Sequence, residues 1–108
     1  MKIINSYYEL KEFINNNSLS IIYFSTNTCT ACNALKPKLI SLINEFKDIK
    51  IAEVKADKSI ELVAQLNMFM VPAILFFVNG KETLRESKYI SISELKNKLE
   101  RVVNLYER

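Results

Sequence analysis

The sequence predicts an α/β protein built on one mixed sheet of four to five strands, with helices on both faces. Segments with helical spacing alternate along the chain with short apolar runs, which is the order of parallel strands joined by crossover helices. The dipeptide Asn79-Gly80 separates the last two strand-like runs and is a strong hairpin signal, so that pair should be antiparallel. A length of 108 residues, 49% of them hydrophobic, is typical of one globular domain, here residues 1–108.

Four helices are predicted from apolar residues that recur at helical spacing. They cover residues 6–17, 30–47, 59–66 and 91–108. Ser6 and Ser91 each precede a glutamate by three residues, the pattern of a capping box, and Ser59 is expected to cap the third helix. Pro37 lies inside the second helix and should kink it, because proline removes one backbone hydrogen bond.

The strands are predicted from short runs of β-branched and aromatic residues. They cover residues 19–25, 49–57, 73–78 and 81–87, with a possible first strand at 2–5. The run AILFFV at 73–78 is the most apolar in the chain and should be an interior strand. Residues 49–57 alternate, so Glu53 and Lys55 should share one face of the sheet, opposite Ala52 and Val54.

Composition argues against several function classes. The net charge of +3 is mild and the basic residues are scattered along the chain, so a nucleic-acid partner is not expected. No run approaches the roughly 20 apolar residues of a membrane span, and the N-terminus lacks the apolar stretch of a signal peptide. We therefore expect a cytoplasmic protein without a membrane partner. The absence of histidine removes the usual Cys/His catalytic pair, and a single glycine removes a phosphate-binding loop.

Both cysteines lie in the stretch NTCTACNALKP, as Cys29 and Cys32. They follow a buried strand and begin a long helix, where free N–H groups and the helix dipole favour a thiolate over a thiol. Cys29 should lie at or before the first turn, where it can be reached by solvent, whereas Cys32 lies one turn further on and should be more buried. This placement suits attack on a disulfide by Cys29 and displacement by Cys32.

A pair of cysteines can also serve packing or metal binding. Buried cysteines are often simply small hydrophobic residues, although the spacing at a strand-to-helix turn makes this less attractive here. Zinc normally takes four ligands, and the chain offers two cysteines and no histidine, so a metal site would require a dimer.

The sequence resembles the thioredoxin family over nearly its whole length. The buried strand IIYFS leads into CTAC at the spacing seen in that family, and Pro37 follows Cys32 by five residues, where thioredoxins carry a helix-kinking proline. The segment MVPA at 70–73 is similar to the one that holds the family's cis-proline. FFVNGK at 76–81 is similar to the family's fourth strand and hairpin.

The resemblance implies the thioredoxin fold and a thiol–disulfide oxidoreductase that reduces protein disulfides. Cys29 would be the nucleophile and Cys32 the resolving thiol. Pro72, in cis, would pack over the sulfur pair, and Val71 would offer its backbone to an extended substrate. The residues expected to contact substrate are Thr28, Thr30, Ala31, Val71, Pro72 and Lys88.

The same resemblance implies the partners. These are disulfide-containing proteins and an electron donor such as a thioredoxin reductase or another thiol. Neither a metal nor any cofactor beyond the Cys29–Cys32 disulfide is expected. The protein is expected to be a monomer. An alternative is a non-catalytic binding module that uses the apolar segment from Met68 to Val71.

Several positions depart from the family pattern, so a specialised thioredoxin-like protein is at least as consistent with the sequence as a general-purpose thioredoxin. Thr28 replaces the usual Trp, and Ala73 the Thr that follows the cis-proline. Tyr23 stands where thioredoxins bury an Asp, and Glu53 where they carry the Lys that pairs with it. Lys88 replaces a Gly near the substrate groove.

These departures lead to a hypothesis about Glu53. If its carboxylate enters the cavity beneath the sulfurs, burial should raise its pKa towards neutrality, which suits a general base for Cys32. Tyr23 could then donate a hydrogen bond to it. The alternative is that Glu53 is a solvated charge on an exposed sheet face.

Overall fold

The computed structural model describes residues 1–107, which form one mixed five-stranded sheet in the order β1-β3-β2-β4-β5. The strands are β1 (Lys2–Ile3), β2 (Leu19–Ser25), β3 (Ile49–Lys55), β4 (Ala73–Val78) and β5 (Lys81–Ser87). Neighbours β1–β3 and β3–β2 are parallel, and β2–β4 and β4–β5 are antiparallel. This confirms the predicted mixed sheet with helices on both faces.

The direction of β4 corrects one expectation. Strands separated by helices were expected to be parallel, yet β4 follows helix α3 (Ile60–Leu66) and runs antiparallel to β2. A helix of seven residues rises only about 10 Å, whereas a strand of β3's length extends more than 20 Å. The helix therefore does not carry the chain back to the other end of the sheet, and β4 starts near the end at which β3 stops.

The other helices are α1 (Tyr7–Asn16), α2 (Thr30–Ile43) and α4 (Ile92–Tyr106). The side chains of Ser6 and Ser91 accept hydrogen bonds from backbone N–H groups three residues on, as predicted. Ser59 occupies the N-cap position of α3 as predicted, but its side chain makes no capping hydrogen bond. The predicted end of the last helix at Arg108 lies outside the described residues.

Several predicted boundaries also differ, and the first strand stops at Ile3 rather than at residue 5. Helix α2 continues through Pro37 but ends at Ile43 rather than at residue 47. Beyond it, the N–H groups of Glu45 and Phe46 bond to carbonyls three residues back, which is the pattern of turns and not of an α-helix. Strand β3 ends at Lys55, whose carbonyl accepts a turn hydrogen bond from Lys58. The hairpin between β4 and β5 forms as predicted, with φ of 51° at Asn79 and 81° at Gly80, the left-handed pair of a type I′ turn.

The sheet separates two hydrophobic clusters. One face packs against α1 and α3, and the other against α2 and α4. Ala52 and Val54 belong to the first cluster, while Ile49 and Ile51 belong to the second. Because strand side chains alternate, Glu53 projects towards the α2 and α4 face, beneath the helix that begins after Cys29. Within residues 1–107, no helix is long and apolar enough to cross a membrane.

Candidate functional site

Cys29 and Cys32 are joined by a disulfide bond, with their Cα atoms 5.2 Å apart. Cys29 is the N-cap of α2, and its Sγ accepts a hydrogen bond of 3.1 Å from the backbone N–H of Cys32. Cys29 is half-buried, whereas Cys32 is 1% exposed and packs in the cluster between the sheet, α2 and α4. The two sulfurs are therefore unequal: only Cys29 can be approached readily from solvent.

Tyr23 holds the first turn of α2 from below. Its hydroxyl donates a 2.6 Å hydrogen bond to the backbone carbonyl of Cys32. Tyr23 is fully buried, and that burial, followed by the negative charge of Glu53, raises its pKa to about 12. The hydroxyl therefore stays protonated and acts as a donor. The expected hydrogen bond from Tyr23 to Glu53 is wrong, because the carboxylate already has other donors and the phenol reaches α2 instead.

Glu53 is 1% exposed, so it is not the solvated surface charge that one hypothesis described. Its Oε2 accepts a 2.6 Å hydrogen bond from Ser25 Oγ, and its Oε1 lies 2.9 Å from Lys36 Nζ. The Nζ of Lys55 lies 3.3 Å from Oε2.

This environment corrects the expected pKa of Glu53. Burial acts to raise that pKa, but it is outweighed by the hydrogen bonds from Ser25 and Lys36 and by the charges of Lys36 and Lys55. The net shift is downward, not towards neutrality. Glu53 is thus an ionised carboxylate held in a cluster of cations.

The Val71–Pro72 peptide bond is cis, in agreement with the resemblance. Pro72 is buried and its carbonyl accepts a 2.9 Å hydrogen bond from the backbone N–H of Lys88. Lys88 has φ of 71°, a left-handed conformation that favours glycine. Ala31, Pro72 and Lys88 line one groove beside the disulfide.

The remaining candidate contact residues divide by exposure. Thr28 and Thr30 are exposed on either side of Cys29. Met68 is buried in the core, so it cannot belong to an exposed binding segment, whereas Phe69 is 71% exposed and Met70 is 46% exposed. The contact surface proposed for the binding module therefore consists of the exposed Phe69 and Met70 and the half-buried Val71.

Sequence reasoning missed two partners of Glu53. Lys36 follows Cys32 by four residues, which puts both on one face of α2. Ser25 lies two residues after Tyr23 and so shares its face of β2. These spacings could have indicated both residues once Glu53 was placed on that side of the sheet. Within residues 1–107, no group of three or more Cys, Asp or Glu side chains could hold a metal ion.

Comparisons with known proteins identify the family. A family model described as Thioredoxin matches residues 2–104. The thioredoxin-like protein YdfQ of Bacillus subtilis (strain 168) is 36% identical over 104 residues, which are 96% of this chain and 93% of that protein. A thioredoxin of Mycoplasmoides gallisepticum is 27% identical over 99 residues, covering 92% and 99% of the two chains.

The fold agrees with these matches. The X-ray structure of Fasciola hepatica thioredoxin superposes with a TM-score of 0.85 at 26% identity, covering 94% of this chain and 98% of that one. The chain therefore belongs to the thioredoxin family, and with its Cys29–Cys32 disulfide it is a thiol–disulfide oxidoreductase.

Proposed function

We propose that this protein reduces disulfides in protein substrates, with Cys29 as the nucleophile and Cys32 as the resolving thiol. The observation that carries the assignment is the unequal exposure of the two sulfurs at the start of α2. Cys29 is the half-buried N-cap, and Cys32 is buried one turn further on. In the reduced protein, the backbone N–H of Cys32 and the positive end of α2 would stabilise the Cys29 thiolate.

The proposed reaction has two exchange steps. The Cys29 thiolate attacks one sulfur of the substrate disulfide, so a mixed disulfide forms and the other substrate sulfur leaves as a thiolate. Cys32, once deprotonated, then attacks Cys29 Sγ. The second substrate thiolate leaves, and the Cys29–Cys32 disulfide forms. Two electrons pass to the substrate, whose thiolates take up protons, and a second dithiol must later reduce the protein.

We assign substrate contact to the surface around Cys29. Thr28, Thr30 and Ala31 are exposed beside the disulfide, which supports contact with the substrate's own cysteine. Val71 precedes the cis-proline and would pair its backbone with an extended substrate chain. Pro72 and Lys88 would complete the groove on the other side.

The partners we propose are proteins that carry accessible disulfides and a thiol donor of the thioredoxin-reductase kind, with the protein acting as a monomer. The Cys29–Cys32 disulfide is the only redox group the proposed reaction uses. A reducing compartment such as the cytoplasm would keep Cys29 and Cys32 in the reduced dithiol form.

Reduction of insulin by dithiothreitol tests the function. We expect the wild-type protein to accelerate insulin reduction and Cys29→Ser to abolish the acceleration, because the attacking sulfur is gone. Cys32→Ser is the matched control: it should still attack insulin but accumulate a mixed disulfide, which mass spectrometry detects. Equal rates for the wild type and Cys29→Ser would contradict the proposal. They would favour a binding module centred on Phe69 and Met70, the exposed apolar residues of the segment from Met68 to Val71.

Glu53 remains our candidate for the base that deprotonates Cys32, because it is the acidic side chain buried on this face of the sheet. Its lowered pKa weakens it as a base, so the expected effect is at the low end of general-base catalysis. Glu53→Gln should slow release of the mixed disulfide by about tenfold, with attack by Cys29 changed much less. Stopped-flow kinetics from pH 6 to 9 separates the two steps. An unchanged release rate would leave Glu53 with a structural role only.

A further inference from the structure

A groove of about 550 Å³ is lined in part by Ala31, which lies between the two disulfide-bonded cysteines in the chain. One wall is the exposed side of α2, which contributes Ala31, Ala34 and Lys38. The opposite wall is the segment 88–92, and Pro72 lies between the two walls. A substrate chain that presents a disulfide to Cys29 would pass along this groove.

The groove is positively charged. Lys38 and Lys88 stand on opposite walls, both exposed, and none of the residues that line the groove is acidic. Among residues 1–107, neither lysine takes part in an ion pair. Glu45, which shares a neighbouring pocket with Lys38, is paired with Lys96 at 3.0 Å. The two groove lysines therefore keep their charge available to a ligand.

The backbone of Lys88 is held in a defined conformation at the edge of the groove. The N–H of Lys88 donates to the Pro72 carbonyl at 2.9 Å, and its φ of 71° is one that residues with a side chain rarely adopt. The ammonium lies 5.5 Å from the ring centroid of Tyr89, within the range of a cation–π contact. The N-terminus of α4, at Ser91 in the same wall, adds the positive end of its dipole.

We propose that this groove selects substrates that carry Asp or Glu beside the disulfide-bonded cysteine. The inference rests on the proposed function, since it concerns the substrates of the same site. Exposed ion pairs each contribute modestly, so two lysines should favour an acidic over a neutral substrate by about three- to tenfold. Added salt should shrink this preference, because the Debye length falls from about 8 Å at 0.15 M to about 3 Å at 1 M.

The test uses the reduced protein, residues 1–108, and three disulfide peptides. The peptides differ only in the two residues beside the cysteine, which are both Glu, both Gln or both Lys. We expect the second-order rate constant to be largest for the Glu peptide, intermediate for the Gln peptide and smallest for the Lys peptide. The differences between these rate constants should shrink at 1 M salt. The double variant Lys38→Gln/Lys88→Gln should reduce the three peptides at equal rates. The control Lys11→Gln/Lys50→Gln changes net charge equally at exposed positions outside the groove and should keep the wild-type order of rates.

Should Lys88→Gln disturb the left-handed backbone, Lys88→Gly removes the ammonium while suiting that conformation. Equal rates for the three peptides, with insulin still reduced, would overturn the inference and leave the proposed function standing. An equal loss of the order in the control variant would also overturn it, since bulk charge would then suffice. If the protein reduces neither the peptides nor insulin, the proposed function and the inference are both wrong.

Discussion

Tyr23 and Glu53 lie side by side in register on the neighbouring strands β2 and β3, and Tyr23 contacts the backbone of Cys32. The phenol donates to the Cys32 carbonyl, while the carboxylate is held by Ser25 and Lys36. Tyr23 is therefore a neutral hydrogen-bond donor on β2, and the buried acid of this region, Glu53, lies on the adjacent strand β3. A buried carboxylate is retained because its cations and hydroxyl satisfy it.

The lowered pKa of Glu53 predicts a pH-dependent stability. The free carboxyl has a pKa of about 4.3, and the folded protein lowers it, so the folded state favours the ionised form. This contribution to the free energy of unfolding is fully present above about pH 5. It is lost as the pH falls through the lowered pKa.

Glu53→Gln should therefore destabilise the protein at neutral pH by about 1–3 kcal/mol, less than for a fully buried pair because Lys36 and Lys55 are partly exposed. The difference from the wild type should narrow in acid. Urea unfolding at pH 7 and at pH 3 measures it, with the exposed Glu12→Gln as control. A difference that stays constant with pH would show that charge is not what Glu53 contributes.

The hairpin between β4 and β5 depends on its turn residues. Gly80 has φ of 81°, and a Cβ added there would lie 3.6 Å from Asn15 Oδ1, an ordinary contact. Gly80→Ala should therefore lower the free energy of unfolding because alanine disfavours the left-handed backbone conformation, and not because its Cβ clashes with Asn15. We expect a loss of about 1 kcal/mol in the free energy of unfolding, measured by urea denaturation.

Gly80→Asn is the matched control, because asparagine visits the left-handed region more readily than alanine. It should cost clearly less. If the two variants are equally stable, the turn is not limited by the φ of residue 80.

At the scale of the whole molecule, two hydrophobic clusters share one sheet. β2 is buried at every residue, and its side chains alternate between the α1 and α3 face and the α2 and α4 face. Such a shared strand couples the two faces, which is the arrangement expected if residues 1–108 form one domain; that assignment stays a prediction. The redox pair lies where β2 ends and α2 begins, so the site depends on both layers.

The sequence alone determined the elements, the mixed sheet, the hairpin and the cysteine pair. These depend on local pattern: apolar spacing, a left-handed turn dipeptide, and two cysteines after a buried strand. Each signal lies within a few residues, so no distant contact is needed to read it.

Only the tertiary structure decided the surroundings of Glu53, the direction of β4 and the charge of the groove. The partners of Glu53, Lys36 and Ser25, are 17 and 28 residues away in the chain. Lys38 and Lys88 likewise meet across a groove formed by separate elements. Whether a buried carboxylate has its pKa raised or lowered depends on such distant donors and cations, and no local pattern contains them.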